Sequence, residues 1–592
     1  MSLISAKEIA GFLKINKLGI AGIFTARAMM TLLRIDVVNN LYRQKKNLKS
    51  TVFLEAILNE LGVKYEISAK ELRKLPGEGA YITISNHPLG GVDGMLLLRI
   101  ILEKTPEYKI LANFLLHKIE PLQPFIIPVN PFENLKKAGS NAAGIKDAIG
   151  HLKNNKPLGI FPAGEVSTHT VNGGIEDKIW DEATIKFIKR AEVPVVPIYF
   201  HARNSRLFYF LSKINDTFRT AKLPSELLSQ KKRIIRIRIG SPISVNEQKK
   251  YSTLKEYGEF LRMRTYLLGK SLCISNNLHG KSIVYEKLVE GNLPKEIAEP
   301  AHTDTIKSEI ELLKTMNTSL FQSGQYEVFF CDANPIPGIL HEIGRLREIT
   351  FRKIGEGTNN AIDLDHYDRY YHHLILWYNN AQKIAGAYRI GLGKEIYSKY
   401  GIKGFYLSST FDFDDKMHEL MSDSLELGRA FIVEEYQRKT MPLLLLWRGV
   451  TNVAKKFPQH KYMIGSVSIS NLLSEFSKSL IIEFLKQHYL DQSKNRLIHA
   501  RQEYKIRKDD MITDLVQNHL DNDLDMLDSI IAEVESGQWK VPVLIKKYIH
   551  QNARVLSFNV DPDFNNAIDV LMYIKVQEIS EELNIKIIRN CK

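Results

Sequence analysis

Cysteine is scarce: 592 residues hold three, Cys273, Cys331 and Cys591, scattered and odd in number. Such usage points away from a disulfide framework or a zinc site and toward a reducing cytosol. No uninterrupted apolar run reaches transmembrane length, since Arg27 and Arg34 break the best candidate. No compact apolar core is followed by a small-residue cleavage site, so a secretion signal is not expected. Acidic residues are short in one half only. Through Pro300, 45 basic residues stand against 28 acidic, an excess of +17; afterwards the numbers are 36 and 39, or −3. The excess gathers at Lys7–Lys49 and Arg203–Arg238, beside apolar text such as Leu18–Phe24 and Leu207–Leu211. Such text suits an anionic membrane surface or an acidic carrier protein, although each segment alone also fits a solvated face over a core helix. No recognition module accompanies the charge, which argues against nucleic acid.

With 44% hydrophobic and 25% charged residues the chain reads as folded throughout, and its length calls for two cores. Between Lys270 and Gln325 strand-like runs give way to polar text with breakers at Gly291–Pro294 and Glu299-Pro300 and one helix, Asp304–Met316. The expected division is a domain over 1–290, a linker over 291–325 and a domain over 326–592.

The most informative stretch is Asn86-His87-Pro88-Leu89-Gly90-Gly91-Val92-Asp93, between the β-branched run Tyr81–Ser85 and the apolar run Met95–Leu102. A histidine at a strand's mouth can take a proton from a hydroxyl while a carboxylate in the next helix's first turn fixes its tautomer and steadies the imidazolium. A plainer turn also fits, with His87 on a backbone carbonyl and Asp93 as a helix N-cap. Two more strand-to-turn elements follow, Leu158–Ser167, which holds Gly164 and Glu165, and Val193–Phe200.

In order and spacing these blocks resemble the glycerolipid acyltransferases, whose blocks read N-H-x4-D, F-P-x-G-x-x-S and V-P-x-x-P. The resemblance implies an αβ domain with His87 and Asp93 catalytic and Gly164 and Glu165 binding substrate. Five residues rather than four separate His87 from Asp93, and Gly90-Gly91 can absorb the extra one. Where that family carries a phosphate-reading arginine, this chain runs Phe125-Ile126-Ile127-Pro128-Val129-Asn130, and Ala163 stands where an acidic residue is usual. A site without a bidentate arginine is poorly equipped for a glycerol phosphate, so the expected acceptor alcohol carries none. The fuller text looks most like the branch that O-acylates lyso-ornithine lipids.

The second half carries Leu346–Phe351 on a helix, the acidic turn Asp363–Asp368, strands His372–Tyr378 and Lys383–Arg389, the segment Leu425–Phe431 and an apolar helix Met441–Trp447. This order resembles the ornithine N-acyltransferases and the acyl-homoserine-lactone synthases, both GNAT-like, and implies a second αβ domain. An amine attacking a thioester must be held and stripped of a proton. Glu426, as catalytic base, and Asp365 and Asp368 suit that task through a water, while Arg347, Arg389 and Arg429 can hold the amino acid's carboxylate or a carrier's phosphopantetheine. Glu426 and Arg429, three apart, would equally make a helical surface pair, and the aspartates a solvated turn. A coenzyme A enzyme of this kind normally cradles pyrophosphate on a glycine-bearing loop, and Tyr436–Met441 has no glycine. The expected donor is therefore an acyl chain on the phosphopantetheine of acyl carrier protein, with acyl-coenzyme A as the alternative. No bound cofactor and no metal are expected.

Taken whole, the resemblance is to the bifunctional ornithine lipid synthases. It implies that the second domain N-acylates an amino acid, most of all ornithine, with a 3-hydroxyacyl group, and that the first O-acylates the resulting lyso-aminolipid. Acyl carrier protein and an anionic membrane are the expected partners, at the cytoplasmic, inner face of the cell membrane. A glycine lipid synthase, a lysophospholipid acyltransferase fused to a GNAT domain, and a silent membrane- or carrier-binding scaffold remain as alternatives.

Overall fold

The computed structural model describes residues 3–12, 15–113, 116–129, 139–170, 174–214, 222–230, 233–272 and 294–579. The chain divides into two compact units, Met1–Cys273 and Ile274–Lys592. Both are αβ. The expected boundary at 290, like Cys273 and Cys591, lies outside the described residues.

In the first unit, helices α1 (Gly19–Leu32) and α2 (Ile35–Lys45) precede a seven-stranded sheet. Its strands are β1 (Lys64–Ile67), β2 (Ile82–Ser85), β3 (Lys109–Asn113), β4 (Ile126–Val129), β5 (Leu158–Ile160), β6 (Val195–His201) and β7 (Ile234–Ile239), in the spatial order β1-β7-β6-β2-β5-β3-β4. All pairs are parallel except β6 with β7. Sandwiched between β5 and β6, β2 is buried on both faces, which is why Ile-Thr-Ile-Ser reads as a continuous run rather than an alternation. Helix α3 (Gly91–Ile101) leaves the end of β2 and packs Leu96, Leu97 and Ile101 into the core.

The second unit begins earlier than the sequence suggests. Much of 291–325, read as a linker, is helix α4 (Thr303–Thr315) and strand β8 (Ser319–Ser323). Ile310 and Leu313 enter the same core as Ile339 and Ile343 of α5 (Pro337–Lys353). The spacing Ile306, Ile310, Leu313 is one apolar stripe of a helix, so this polar-looking text still has a face to bury.

Strands β9 (Tyr326–Cys331), β10 (His372–Tyr378), β11 (Lys383–Leu392), β12 (Ser424–Ile432), β13 (Tyr462–Ile469), β14 (Arg554–Asp561) and β15 (Ala567–Lys575) complete an eight-stranded sheet ordered β8-β9-β10-β11-β12-β13-β15-β14. Every pair is antiparallel except β12 with β13, which meet only over Ser424–Glu426 and Tyr462–Ile464 and then part. Helix α6 (Thr440–Lys456) follows β12.

Strand β12 also carries a bulge. Gly428 faces Arg389 and Phe431 faces Ala387, so Arg429 and Ala430 together stand opposite Tyr388. Arg429 takes φ +50°, the left-handed region costly for a side chain. One extra residue reverses the alternation of faces, so Glu426 and Arg429 look to the same side although three residues apart. The helical pairing allowed by their spacing is not what forms.

Candidate active sites

His87 lies just beyond β2, at the carboxyl ends of the parallel strands, where open αβ sheets gather their ligands. Its backbone is held from two sides, the N–H donating to Asp177 Oδ1 at 3.1 Å and the carbonyl accepting from Ser167 N at 2.9 Å. Asn86 clasps the backbone of Phe200 on β6 with bonds of 2.7 and 3.1 Å, and Asn204 Nδ2 donates to the Pro88 carbonyl at 2.9 Å. The Phe161 ring lies 4.3 Å from the imidazole.

Asp93 is fully buried in the first turn of α3. Its Oδ2 accepts from Leu89 N at 2.8 Å and Gly90 N at 3.1 Å and sits 3.1 Å from His87 Nδ1. The last approach is close but not in line for a hydrogen bond, a geometry of the kind that tightens when substrate arrives. Burial raises the Asp93 carboxyl, and His87 with the two N–H donors pulls it back. Gly90 supplies the turn that the long spacing requires: it adopts φ +75°, ψ −122°, and a Cβ there would stand 3.3 Å from Val166. The plainer turn is thus present too, with the imidazole as the carboxylate's third contact.

The second block serves the first. Gly164, at φ +66°, donates its N–H to the Phe161 carbonyl and turns the chain so that Ser167 reaches His87, while Glu165 pairs with Lys178 at 3.0 Å. Asp177, which no motif spacing marks, is the hub: besides the His87 N–H it accepts from Ser167 Oγ at 2.6 Å and Trp180 Nε1 at 3.2 Å, and burial raises its carboxyl. Only Ser167, in the second block, hints at it. Where a phosphate-reading arginine was missed in the sequence, Ile126–Val129 is β4; Asn130 lies outside the described residues. An apolar cavity of about 90 Å³ opens beside α3, lined by Gly91, Gly94, Met95 and Leu98 with Leu41 and Phe53.

On the sheet of the second unit the structure brings together all the charged residues read from its sequence. Arg347 Nη1 donates to Asp368 Oδ1 at 2.8 Å; Arg389 Nη1 bridges Asp365 at 2.6 Å and Asp368 at 3.2 Å; Arg429 lies 3.3 Å from Asp363 and 3.4 Å from Asp365. Three guanidinium groups are matched by three carboxylates. Burial alone would raise Asp368, but Arg347 and Arg389 beside it hold it well below the usual carboxylate range. Asp365 and Asp368 are thus both engaged by arginines in this structure. Arg347 is wholly buried, with Asp368 as its ion-pair partner.

Glu426 differs. Its Oε1 accepts from Leu407 N at 2.9 Å and its Oε2 from the Tyr371 hydroxyl, which in turn accepts from Tyr406 N at 3.0 Å. Burial pushes its carboxyl up to about 7, with the Tyr371 bond opposing. That is the value of a base poised at neutral pH. Arg429 is stacked between the Tyr406 and Phe564 rings, 4.8 and 4.4 Å away. Among the described residues no group of side chains has the arrangement of a metal site.

Comparison with known proteins follows the two units. An acyltransferase family matches residues 18–275, and an acetyltransferase (GNAT) domain matches 346–447. The chain is 31% identical over 242 residues to a lyso-glycine lipid O-acyltransferase of Phocaeicola vulgatus, covering 39% of this chain and 83% of that protein. It is 29% identical over 253 residues to the protein of the same description from Bacteroides thetaiotaomicron, covering 41% and 90%. A glycine N(alpha)-acyltransferase of B. thetaiotaomicron is 26% identical over 307 residues, covering 49% of this chain and 89% of its own length.

Proposed function

Because the chain belongs to the acyltransferase family that includes the lyso-glycine lipid O-acyltransferases, and carries a GNAT domain behind that part, we propose that it makes a diacyl aminolipid in two steps. What supports this most is that a relative described as a glycine N(alpha)-acyltransferase and one described as a lyso-glycine lipid O-acyltransferase each match a large part of one chain. In the first step Glu426 takes the proton of the amino acid's ammonium; the freed amine attacks a 3-hydroxyacyl thioester, an amide forms and the thiol leaves. In the second, Asp93 holds His87 in the tautomer with Nδ1 protonated, and Nε2 takes the proton of the 3-hydroxyl. The alkoxide attacks another acyl thioester, an ester forms and the proton goes out on the thiol. The apolar cavity beside α3 suits an acyl chain.

Ornithine is our proposed acceptor. Glycine is the second reading, favoured by the descriptions of the relatives. Expression in a host without aminolipids, fed labelled ornithine or glycine, should place the ornithine label in a diacyl lipid by mass spectrometry. Label from glycine alone would pass the function to the second reading.

The proposed donor is acyl carrier protein. The turn from β12 into α6, Val433–Thr440, has no glycine, and α6 begins at Thr440 with an uncapped N-terminus beside Lys439. Such an end suits the single phosphate of phosphopantetheine. The 3-hydroxyacyl carrier protein should be used at least about tenfold better than the matching coenzyme A ester, the advantage of one well-made contact. Equal rates in a thiol-release assay would overturn this reading of the turn. For location we propose the inner face of the cell membrane. Among the described residues no single helix is long and apolar enough to cross a bilayer, although Asn16–Leu32 and Ile35–Lys45 together pass that test with a 77° bend. Leu18, Ile20, Phe24 and Leu32 are exposed there, within the basic half of the chain.

A further inference from the structure

Beyond the matched arginines and aspartates, the same face of the sheet continues across the parting of β12 and β13 to a second acidic group. Glu356, Asp561 and Asp569 are 5%, 4% and 8% exposed. Ser468 pairs in register with Asp569 and donates to Glu356 Oε2 at 2.6 Å, and Asp569 lies opposite Asn559 on β14, two residues before Asp561. No lysine or arginine forms an ion pair with any of the three among the described residues; Arg429, whose charge reaches Asp561 and Asp569, is already engaged by Asp363 and Asp365. Asp569 Oδ2 has no hydrogen-bond partner there, and its carboxylate faces the like charges of Asp561 and Glu356. Three buried carboxylates without a cation are costly unless protons or a ligand neutralise them. Burial raises all three, Glu356 to about 7 and Asp569, with the neighbouring carboxylates adding to the rise, to about 8.

We infer that Glu356, Asp561 and Asp569 form the subsite for a second, side-chain ammonium of the acceptor amino acid. Resting on the N-acylation reading above, this assigns the choice of amino acid to residues outside the acidic turn Asp363–Asp368. Length supports it. Glu426 is level with Ile464 on β13, and Asp569 is level with Ser468, four residues further on. At about 3.3 Å per residue the two levels are roughly 13 Å apart. Glycine cannot touch both ends of such a span. β15 also lies two strand spacings of about 4.8 Å beyond β12, which sets the two backbones roughly 16 Å apart; a diamino acid meets both when the side chains of Glu426 and Asp569 lean over β13 toward its two nitrogens. Binding exchanges one proton held in the trio for one ammonium with its own N–H donors, so the net charge of the trio is unchanged.

The test compares ornithine with norvaline, which has the same carbon chain and no second ammonium, as acceptors for the full-length protein and a 3-hydroxyacyl carrier protein. Wild type should favour ornithine in kcat/KM by about 10- to 100-fold, the effect of one charge-assisted contact in a buried site. In Asp569→Asn and Glu356→Gln that ratio should fall toward one. A wild-type ratio near one overturns the subsite whether or not the variants fold, and so does a ratio that neither substitution changes. Acylation of glycine in preference to ornithine overturns the subsite while leaving N-acylation standing. If no amino acid is acylated, N-acylation itself falls and the subsite with it.

Discussion

His87→Ala is expected to leave N-acylation intact and to slow O-acylation by about 10²- to 10⁴-fold, the usual contribution of a general base. The singly acylated lyso-lipid should therefore accumulate in a host expressing the variant, at the expense of the diacyl product. His87 stands at the end of β2 with its Nδ1 3.1 Å from Asp93 Oδ2. Because N-acylation is carried by the other unit, it reports that the chain is produced in the same sample. Wild-type amounts of the diacyl lipid would remove His87 from the mechanism.

Glu426→Gln should have the converse effect, lowering N-acylation by about 10²- to 10⁴-fold while a supplied lyso-lipid is still O-acylated. The pH dependence is the sharper reading. Burial lifts the Glu426 carboxyl to about 7, so its ionised, proton-accepting form is lost as the pH falls through that value. N-acylation by the wild type should fall along the same limb, and the residual rate of the variant should lack it. A limb that persists in Glu426→Gln would assign the titration to another group, and an unchanged rate would dismiss Glu426 as the base.

How far the sequence carries depends on distance along the chain. Strand His372–Tyr378 is legible to the residue, because its apolar run is bounded by an acidic turn and by Asn379-Asn380. His87 and Asp93 are legible as a pair because both fall within one strand-turn-helix, and the glycines between them announce the turn. Asp177 is not, being 90 residues from His87 and joined to it only by folding. Nor is the contrast between the two acidic groups. In the sequence Asp365 and Asp368 look available and Asp569 looks like one polar residue in a strand. Only the sheet shows that the first two are claimed by Arg347 and Arg389 and that, among the described residues, the last is in no ion pair. The bulge was hidden for another reason: Leu-Glu-Leu-Gly-Arg-Ala-Phe satisfies a helical spacing as readily as an interrupted alternation, and pairing with β11 decides between them.

That bulge makes β12 sensitive to number rather than to kind. Ala430 contributes little chemistry of its own, and exchanging it for another small residue leaves the count unchanged. Deleting a single codon there is a different event. The ladder with β11 would close into a regular register, Arg429 and Glu426 would fall on opposite faces, and Asp363 would lose the cation beside it. A lineage can therefore drift through many spellings of this strand while its length stays fixed, and the signature to look for among its descendants is a conserved gap, not a conserved letter.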